Sequence, residues 1–324
     1  MKNNITDGAK FPVHGLDREG PRIPYTDSPL DRTDRNRENI EWLDSHWDHP
    51  NTLHLPFCEL RVGMSRNPKP ELYWCTSRDL TDLQSAYDQS VFLGLNKAEI
   101  ACFATVINEK TQRDLEAKNV GFVDARSAAG QLEDGRAAIV AQARSLLNWH
   151  SQNSFCTRCG SSSRPMMAGL QRECTNSSCG TVIFPRIDPV VIMLVVSSDG
   201  KQCLLGRNHG YPGRLVSALA GYMEPGESIE EAVRREILEE AGVSIAEVRY
   251  FTSQPWPFPS TLMIGCFAVA ENLKLDVNLQ ELESARWFSK KDVQQLFAEQ
   301  NQEFSAPRPI AIAHHLIRHW LDNS

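Results

Sequence analysis

Glu236, Glu239 and Glu240 stand in the stretch "GYMEPGESIEEAVRREILEEAGV", residues 221–243. On a helix, positions i, i+3 and i+4 share a face, so the three carboxylates would gather on one side. At about 100° per residue, Glu236 and Glu240 fall in the same arc as Ile229, Ala232 and Val233, the side a helix buries. Carboxylates turned inward repel one another and lose hydration unless a cation lies among them. Oxygen ligands of this kind suit Mg2+ or Mn2+. Arg235 lies beside them and can orient a glutamate or a phosphate. The competing reading is a solvated acidic helix, which the shared arc with apolar residues disfavours.

A second constellation is made of cysteines. Nine are present, and four of them, Cys156, Cys159, Cys174 and Cys179, form two knuckles, "CTRCG" and "CTNSSCG". Paired thiolates on two tight turns suit a closed tetrahedral site for structural zinc. Gly160 and Gly180 follow the knuckles, where such a turn needs positive φ. Cys58, Cys75, Cys102, Cys203 and Cys266 sit in or beside apolar surroundings and read as small core residues. A ribbon of this type can also bind nucleic acid, but its segment "SSSRPMMAGLQRE" is only mildly basic.

A third stretch, "SQPWPFPS" from Ser253 to Ser260, is too proline-rich for a helix and makes a poor ladder strand. It is either a rigid surface turn or a preformed wall that recognises something flat.

Several elements must position these groups. "PVVIMLVV" from 189 reads as a buried strand, "SSDG" as a turn and "QCLLG" as a second strand. Ser228 and Glu231 form a capping box that starts the glutamate helix, and Gly242 ends it. "LMIGCFAVA" reads as a strand, "ARWFSKKDVQQLF" as a strand end and helix, and "PIAIAHHLIRHWLDN" as an amphipathic helix. Strands followed by helices suggest a mixed sheet sandwiched by helices. Upstream, "ELYWCTS", "VFLGLNK" and "EIACFATVI" read as strands of a small α+β domain, and "EDGRAAIVAQARSLLNWHSQN" as a linking helix. His46, His49 and His54 read as surface or turn residues, and His314 and His315 as helix surface. The expected division is a loose lead-in over 1–38, an N-terminal domain with its helix over 39–150, a zinc ribbon over 151–185 and a C-terminal domain over 186–324.

Size and charge agree with this. The 324 residues suffice for two domains and a small module, and the net charge of −7 argues against holding bulk nucleic acid by counterion release. No apolar run approaches the length of a membrane span, and "MKNNITDGAKFPVHG" lacks an apolar signal core. The expectation is a cytoplasmic protein without membrane contact.

The pattern G-x5-E-x7-R-E-U-x-E-E-x-G-U, with U apolar, is matched by Gly221, Glu227, Arg235, Glu236, Ile237, Glu239, Glu240, Gly242 and Val243. It resembles the box of the Nudix hydrolases. "SQPWPFPST", with Thr261 where the family has Ser, the cysteine ribbon and "FPRIDP" from Phe184 are similar to the NADH pyrophosphatase branch. The likeness covers about 90–324 well and the earlier residues vaguely. It implies a Nudix α/β/α sandwich with a mixed sheet. It implies hydrolysis of the pyrophosphate bond of NADH or NAD+ to AMP and the reduced or oxidised nicotinamide mononucleotide. Removal of NAD caps from RNA 5′ ends, or hydrolysis of ADP-ribose or another nucleoside diphosphate derivative, are the alternatives. A zinc-ribbon binding module with an inactive Nudix domain is the reading from another class.

The resemblance also implies residue roles. Glu236, Glu240 and the main-chain carbonyl of Ala220 would hold Mg2+ or Mn2+, with Glu239 a further ligand or the base. A fourth carboxylate comes from "QELESARWF", as Glu281 or Glu283, and alignment on Ala-x-Trp favours Glu281. Gln254, Pro255, Trp256, Pro257, Phe258, Pro259, Ser260 and Thr261 would line the dinucleotide pocket. Phe184 and Tyr222 would flank a base, Phe184 having core packing as its alternative, and Ala313 would offer a backbone contact. Members of this branch imply a homodimer.

Overall fold

The computed structural model describes residues 23–66, 68–80 and 86–323. They fall into two units. One holds 24–187 together with 255–260, and the other holds Ile23, 188–254 and 261–323.

In the first unit, six strands form one sheet: β1 (Leu53–Cys58), β2 (Arg61–Ser65), β3 (Glu71–Leu72), β4 (Val91–Leu95), β5 (Ala101–Val106) and β6 (Val120–Val123). Their order is β3-β2-β1-β5-β4, with β6 on β2. β1 and β5 run parallel, and their neighbours antiparallel. Helices α1 (Ile40–Trp47), α2 (Glu109–Glu116), α3 (Ala125–Ala129) and α4 (Arg136–Gln152) accompany them. The linking helix is α4. Its Ile139, Val140, Ala143, Leu146 and Leu147 share a core with Leu55, Phe57, Val62, Val91 and Leu93. The stretch "ELYWCTS" pairs with β2 at Glu71–Leu72, where Tyr73 N–H also donates to Gly63 O, and bridges from Cys75 to His54.

Two expectations need correction here. The loose lead-in lies outside the described residues up to 22, but from Ile23 the chain is packed. Tyr25, Leu30 and Arg37 are buried, and Arg37 donates to the carbonyls of Arg32, Phe92 and Leu93. Polar composition hid this, because a guanidinium fully engaged by carbonyls can be buried. His54 is not a surface residue either. It is fully buried in β1, with Nδ1 2.9 Å from Thr105 Oγ1, and burial pushes its imidazole down to about 4.

The same unit carries the ribbon, a three-stranded sheet of β7 (Ser163–Met166), β8 (Gln171–Cys174) and β9 (Val182–Ile183).

The second unit is built on β10 (Asp188–Val196), β11 (Gln202–Asn208), β12 (Leu219–Tyr222), β13 (Ile245–Trp256), β14 (Thr261–Ala270) and β15 (Leu282–Ser289). The order is β13-β14-β10-β11-β15, with β12 on β10. β10 pairs in parallel with β14 from Asp188↔Thr261 to Val196↔Val269, and antiparallel with β11 and β12. Helices are α5 (Ile229–Ala241), α6 (Lys290–Phe297) and α7 (Ile312–Asn323). The unbroken apolar run of β10 is explained by burial on both faces. Ile192, Leu194 and Val196 join a core with Val293, Leu296, Ile312, Leu316 and Trp320. Val191, Met193 and Val195 join another with Ala232, Val233, Ile237 and Ala241. This is the expected mixed-sheet α/β/α sandwich. The proline stretch reads differently from expectation. β13 runs on through Pro255 to Trp256, which an edge strand tolerates because one side of its ladder is unused.

Candidate active site

Helix α5 begins where the sequence places it. Ser228 Oγ accepts from Glu231 N–H at 3.2 Å, and the Glu231 carboxylate accepts from Ser228 N–H at 2.8 Å. Gly242 closes the helix at φ 68°, donating to Leu238 O at 3.0 Å. The loop 276–278 seals this end, where Asp276 N–H donates to Ala241 O and Asn278 N–H to Glu240 O.

Arg235 is the hub. It grips both oxygens of Glu227, and donates to Glu236 Oε1 at 2.8 Å, Glu239 Oε2 at 3.0 Å and the carbonyl of Tyr222 at 2.9 Å. The fork geometry of a guanidinium makes this division possible, where an ammonium offers a single point charge. Hydrogen bonding to Arg235 and the N–H of Glu224 hold the Glu227 carboxyl down at about 2. Glu227 is thus a fixed anion that orients Arg235.

The inward glutamates differ. Glu236 and Glu240 are buried, while the Glu239 side chain is half exposed. Burial pushes Glu236 up, opposed by Arg235. Burial, then the charges of Glu236, Glu281 and Glu239, push Glu240 up to about 8, and its Oε2 is buried without a hydrogen-bond partner among the described residues. A carboxylate oxygen of this kind is costly unless a cation faces it. At Gly221 a Cβ would overlap the Glu236 carboxylate, so the glycine leaves that carboxylate its place against the strand. Ala220 immediately precedes it in β12. Glu281 is the fourth carboxylate near the cluster, with Oε1 accepting from Asn278 at 3.0 Å. Glu283 is instead held by Arg207 at 2.8 Å. The donor set fits a hard divalent cation.

A family described as "NUDIX domain" matches residues 186–307, and one described as "NADH pyrophosphatase-like rudimentary NUDIX domain" matches 45–149. The chain is 37% identical to the NAD-capped RNA hydrolase NUDT12 of Macaca fascicularis, over 92% of its own length and 73% of the relative's. It is 36% identical to the NAD(P)H pyrophosphatase NUDT13, mitochondrial, of Homo sapiens, over 72% of each, and 34% identical to the NAD-capped RNA hydrolase of Schizosaccharomyces pombe, over 88% of each. The chain belongs to the NADH pyrophosphatase branch of the Nudix hydrolases.

The second match widens the resemblance, which covered the first ninety residues only vaguely. In this Nudix hydrolase β1 pairs in parallel with β5 as β10 does with β14.

The remaining expected residues fall in different places. Tyr222 and Phe184 are each exposed, which rules out core packing for Phe184. Gln254 is fully buried, and its amide is committed at both ends, donating to Ile310 O at 2.8 Å and accepting from Ile312 N–H at 2.9 Å. It therefore fixes the start of α7. Ala313 is buried in the first turn of α7. Thr261 is buried at the start of β14. Trp256 and Phe258 are half-buried and meet at 5.2 Å and 67°, while Pro255 and Pro259 are exposed. Tyr211 was not singled out from the sequence. Burial pushes its phenol up, Ser217 opposes this, and the Glu240 charge adds to it. No motif position marks it, and only the fold brings it near the cluster.

The ribbon cysteines meet. Their sulfurs all lie within 4.8 Å of one another, with Cys156–Cys179 at 3.9 Å and Cys159–Cys174 at 3.5 Å. A tetrahedron with metal–sulfur bonds of about 2.3 Å has edges of about 3.8 Å, so four thiolates here fit zinc. Gly160 and Gly180 take φ of 75° and 56°, as the knuckles require.

Proposed function

We propose that this Nudix hydrolase cleaves the pyrophosphate bond of NADH or NAD+, releasing AMP and the corresponding nicotinamide mononucleotide. The observation that carries the proposal is Glu240, buried with an unpartnered oxygen among Glu236, Glu239 and Glu281. The relatives named for NAD(P)H and NAD-capped RNA supply the substrate class.

Nudix hydrolases use divalent metal. Here Glu236, Glu240, Glu281 and the carbonyl of Ala220 would hold it, as Mg2+ or Mn2+. The chemistry such an ion supplies when bound is neutralisation of phosphate oxygens and acidification of water. The residues do the rest. Arg235 holds Glu236 and Glu239 in place, and Glu227 holds Arg235. Glu239, half exposed, serves as a further ligand or as the base that takes the proton from the attacking water. Trp256, Pro257 and Phe258, with Tyr222 and Phe184, would offer flat walls to the bases, and the prolines lower the entropy lost on binding. The four cysteines would hold structural zinc, closed to substrate.

The same site would accept a dinucleotide at an RNA 5′ end, a second reading favoured by the relatives named for NAD-capped RNA. ADP-ribose and other nucleoside diphosphate derivatives remain as competing substrates. A homodimer belongs to the same proposal, since the ribbon exposes Phe155, Val182 and Phe184, with Ile187 just beyond it. So does a cytoplasmic location, although relatives named mitochondrial and chloroplastic place the family in more than one compartment. Among the described residues no helix is long and apolar enough to cross a membrane.

The test is the purified chain with NADH, NAD+ and an NAD-capped oligonucleotide, each with Mg2+ or Mn2+. Equal amounts of AMP and nicotinamide mononucleotide, lost with chelator and in Glu240→Gln, support it. Turnover of ADP-ribose without turnover of NADH would redirect it. No turnover of any diphosphate would favour an inactive binding module.

A further inference from the structure

The proline loop is gripped by two arginines that no chemistry so far has used. Arg126 lies on α3, with its Cζ 4.0 Å from the centre of the Phe258 ring and 5.7 Å from that of Trp256. Arg144 lies on α4, with its Cζ 4.7 Å from the same Phe258 ring, and its Nη1 donates to the carbonyl of Pro257. Tyr25 completes the cluster. Its ring meets Trp256 at 6.0 Å and 84° and Phe258 at 6.4 Å and 69°.

The mounts are themselves fixed. Asp124 caps α3, with Oδ1 accepting from the N–H groups of Arg126 at 2.9 Å and Ser127 at 3.1 Å. The buried Tyr25 hydroxyl donates to Ala125 O at 3.0 Å. Within the loop, Phe258 N–H donates to Trp256 O at 2.8 Å.

The charges point the same way. Among the described residues neither guanidinium has a carboxylate within ion-pair distance, although Asp124 is close enough to act on Arg144. Burial and the neighbouring Arg126 depress the Arg144 guanidinium. Arg144 is half-buried without an ion pair among the described residues, and the face of Phe258 and the carbonyl of Pro257 are its electron-rich partners, while Arg126 stands over the same ring. A loop with three prolines has few internal hydrogen bonds available, so its shape has to be fixed from outside.

We propose that Arg126 and Arg144 are positioning residues, through which the N-terminal domain sets the proline loop in its substrate-binding shape. The inference rests on the reading above, that this loop lines the dinucleotide site. It gives the domain over 45–149 a part in the reaction without any group of its own touching the reacting atoms.

The test uses the full chain with NADH and Mn2+. Arg126→Met with Arg144→Met keeps the apolar stems and removes both cations and the donor to Pro257. The expected result is a KM about tenfold higher with kcat changed by no more than about twofold, three cation–π contacts and a hydrogen bond being worth at least that factor. Amide exchange across 253–261 should quicken. Arg144→Lys should recover part of the loss, because it keeps a charge and a donor. Should the double variant fold poorly, the exposed Arg126→Met alone should still raise KM and quicken exchange. Unchanged KM and unchanged loop exchange in the arginine variants would overturn the proposal. Phe258→Ala separates the two claims. If it raises KM while the arginine variants do not, the positioning role alone falls. If it leaves KM unchanged as well, the loop is not a substrate wall and both readings fall.

Discussion

Glu240 carries the heaviest electrostatic load of any residue in the cluster, and its behaviour with pH follows from that. An ordinary glutamate titrates near 4.5, and here burial with three neighbouring carboxylates moves the group to about 8. A folded-state value above the unfolded one means that the native chain binds the extra proton. The stabilisation is therefore fully present below about 4.5 and is lost as pH rises through about 8. Without divalent metal, the melting temperature should fall across this window. Glu240→Gln should flatten the dependence, and added Mn2+ should offset it in the parent but not in the variant. Thermal scans at several pH values check this, and a parent profile that is flat without metal would count against the cluster. In activity, Glu240→Gln should lose at least ~100-fold in kcat/KM, since even residues supporting a metal ligand cost 10–100-fold. Arg235→Lys should weaken metal activation by about 10–100-fold, because an ammonium cannot divide itself between Glu227, Glu236 and Glu239. Helix periodicity made Glu236, Glu239 and Glu240 legible as a cluster. It could not show that Glu283 is taken by Arg207, or that the Gln254 amide is committed to the start of α7. Those depend on partners distant along the chain.

At the level of elements, α5 and β12 form one device. The capping box, the αL glycine and the glutamate register are local patterns, so they read directly from the sequence. Gly221 is legible as a motif position, but its reason is tertiary, because the Glu236 carboxylate occupies the space of a Cβ. Gly221→Ala should therefore abolish metal-dependent activity while circular dichroism still shows a folded chain. Ser228→Ala should cost about 1 kcal/mol of stability, measured by denaturant unfolding, because it removes the hydroxyl that accepts from Glu231 N–H and leaves that donor uncapped. The extent of strand β13 is hidden for a similar reason. Proline argues against a central strand, and only the sheet order shows that β13 is an edge. His54 likewise reads as surface, because a lone histidine between apolar residues carries no sign of the Thr105 hydroxyl that meets its Nδ1.

At the scale of the molecule, the N-terminal domain is the least legible part. Its six-stranded sheet rests on pairings such as β1 with β5 and β2 with β6, which no short pattern announces. The ribbon is the most legible, because four thiolates on two knuckles have few other uses. Metal analysis should find about one zinc per chain, and Cys174→Ser should lose it and lower the melting temperature, since the closed site contributes folding energy. Whether the carboxylate cluster on α5 hydrolyses a nicotinamide dinucleotide is decided by a product assay. NADH is incubated with the purified chain and Mn2+, and the nucleotides are separated. AMP and reduced nicotinamide mononucleotide should appear in equal amounts, and both chelator and Glu240→Gln should abolish them. Cleavage that persists in Glu240→Gln, or NADH left intact under these conditions, would contradict hydrolysis by the cluster.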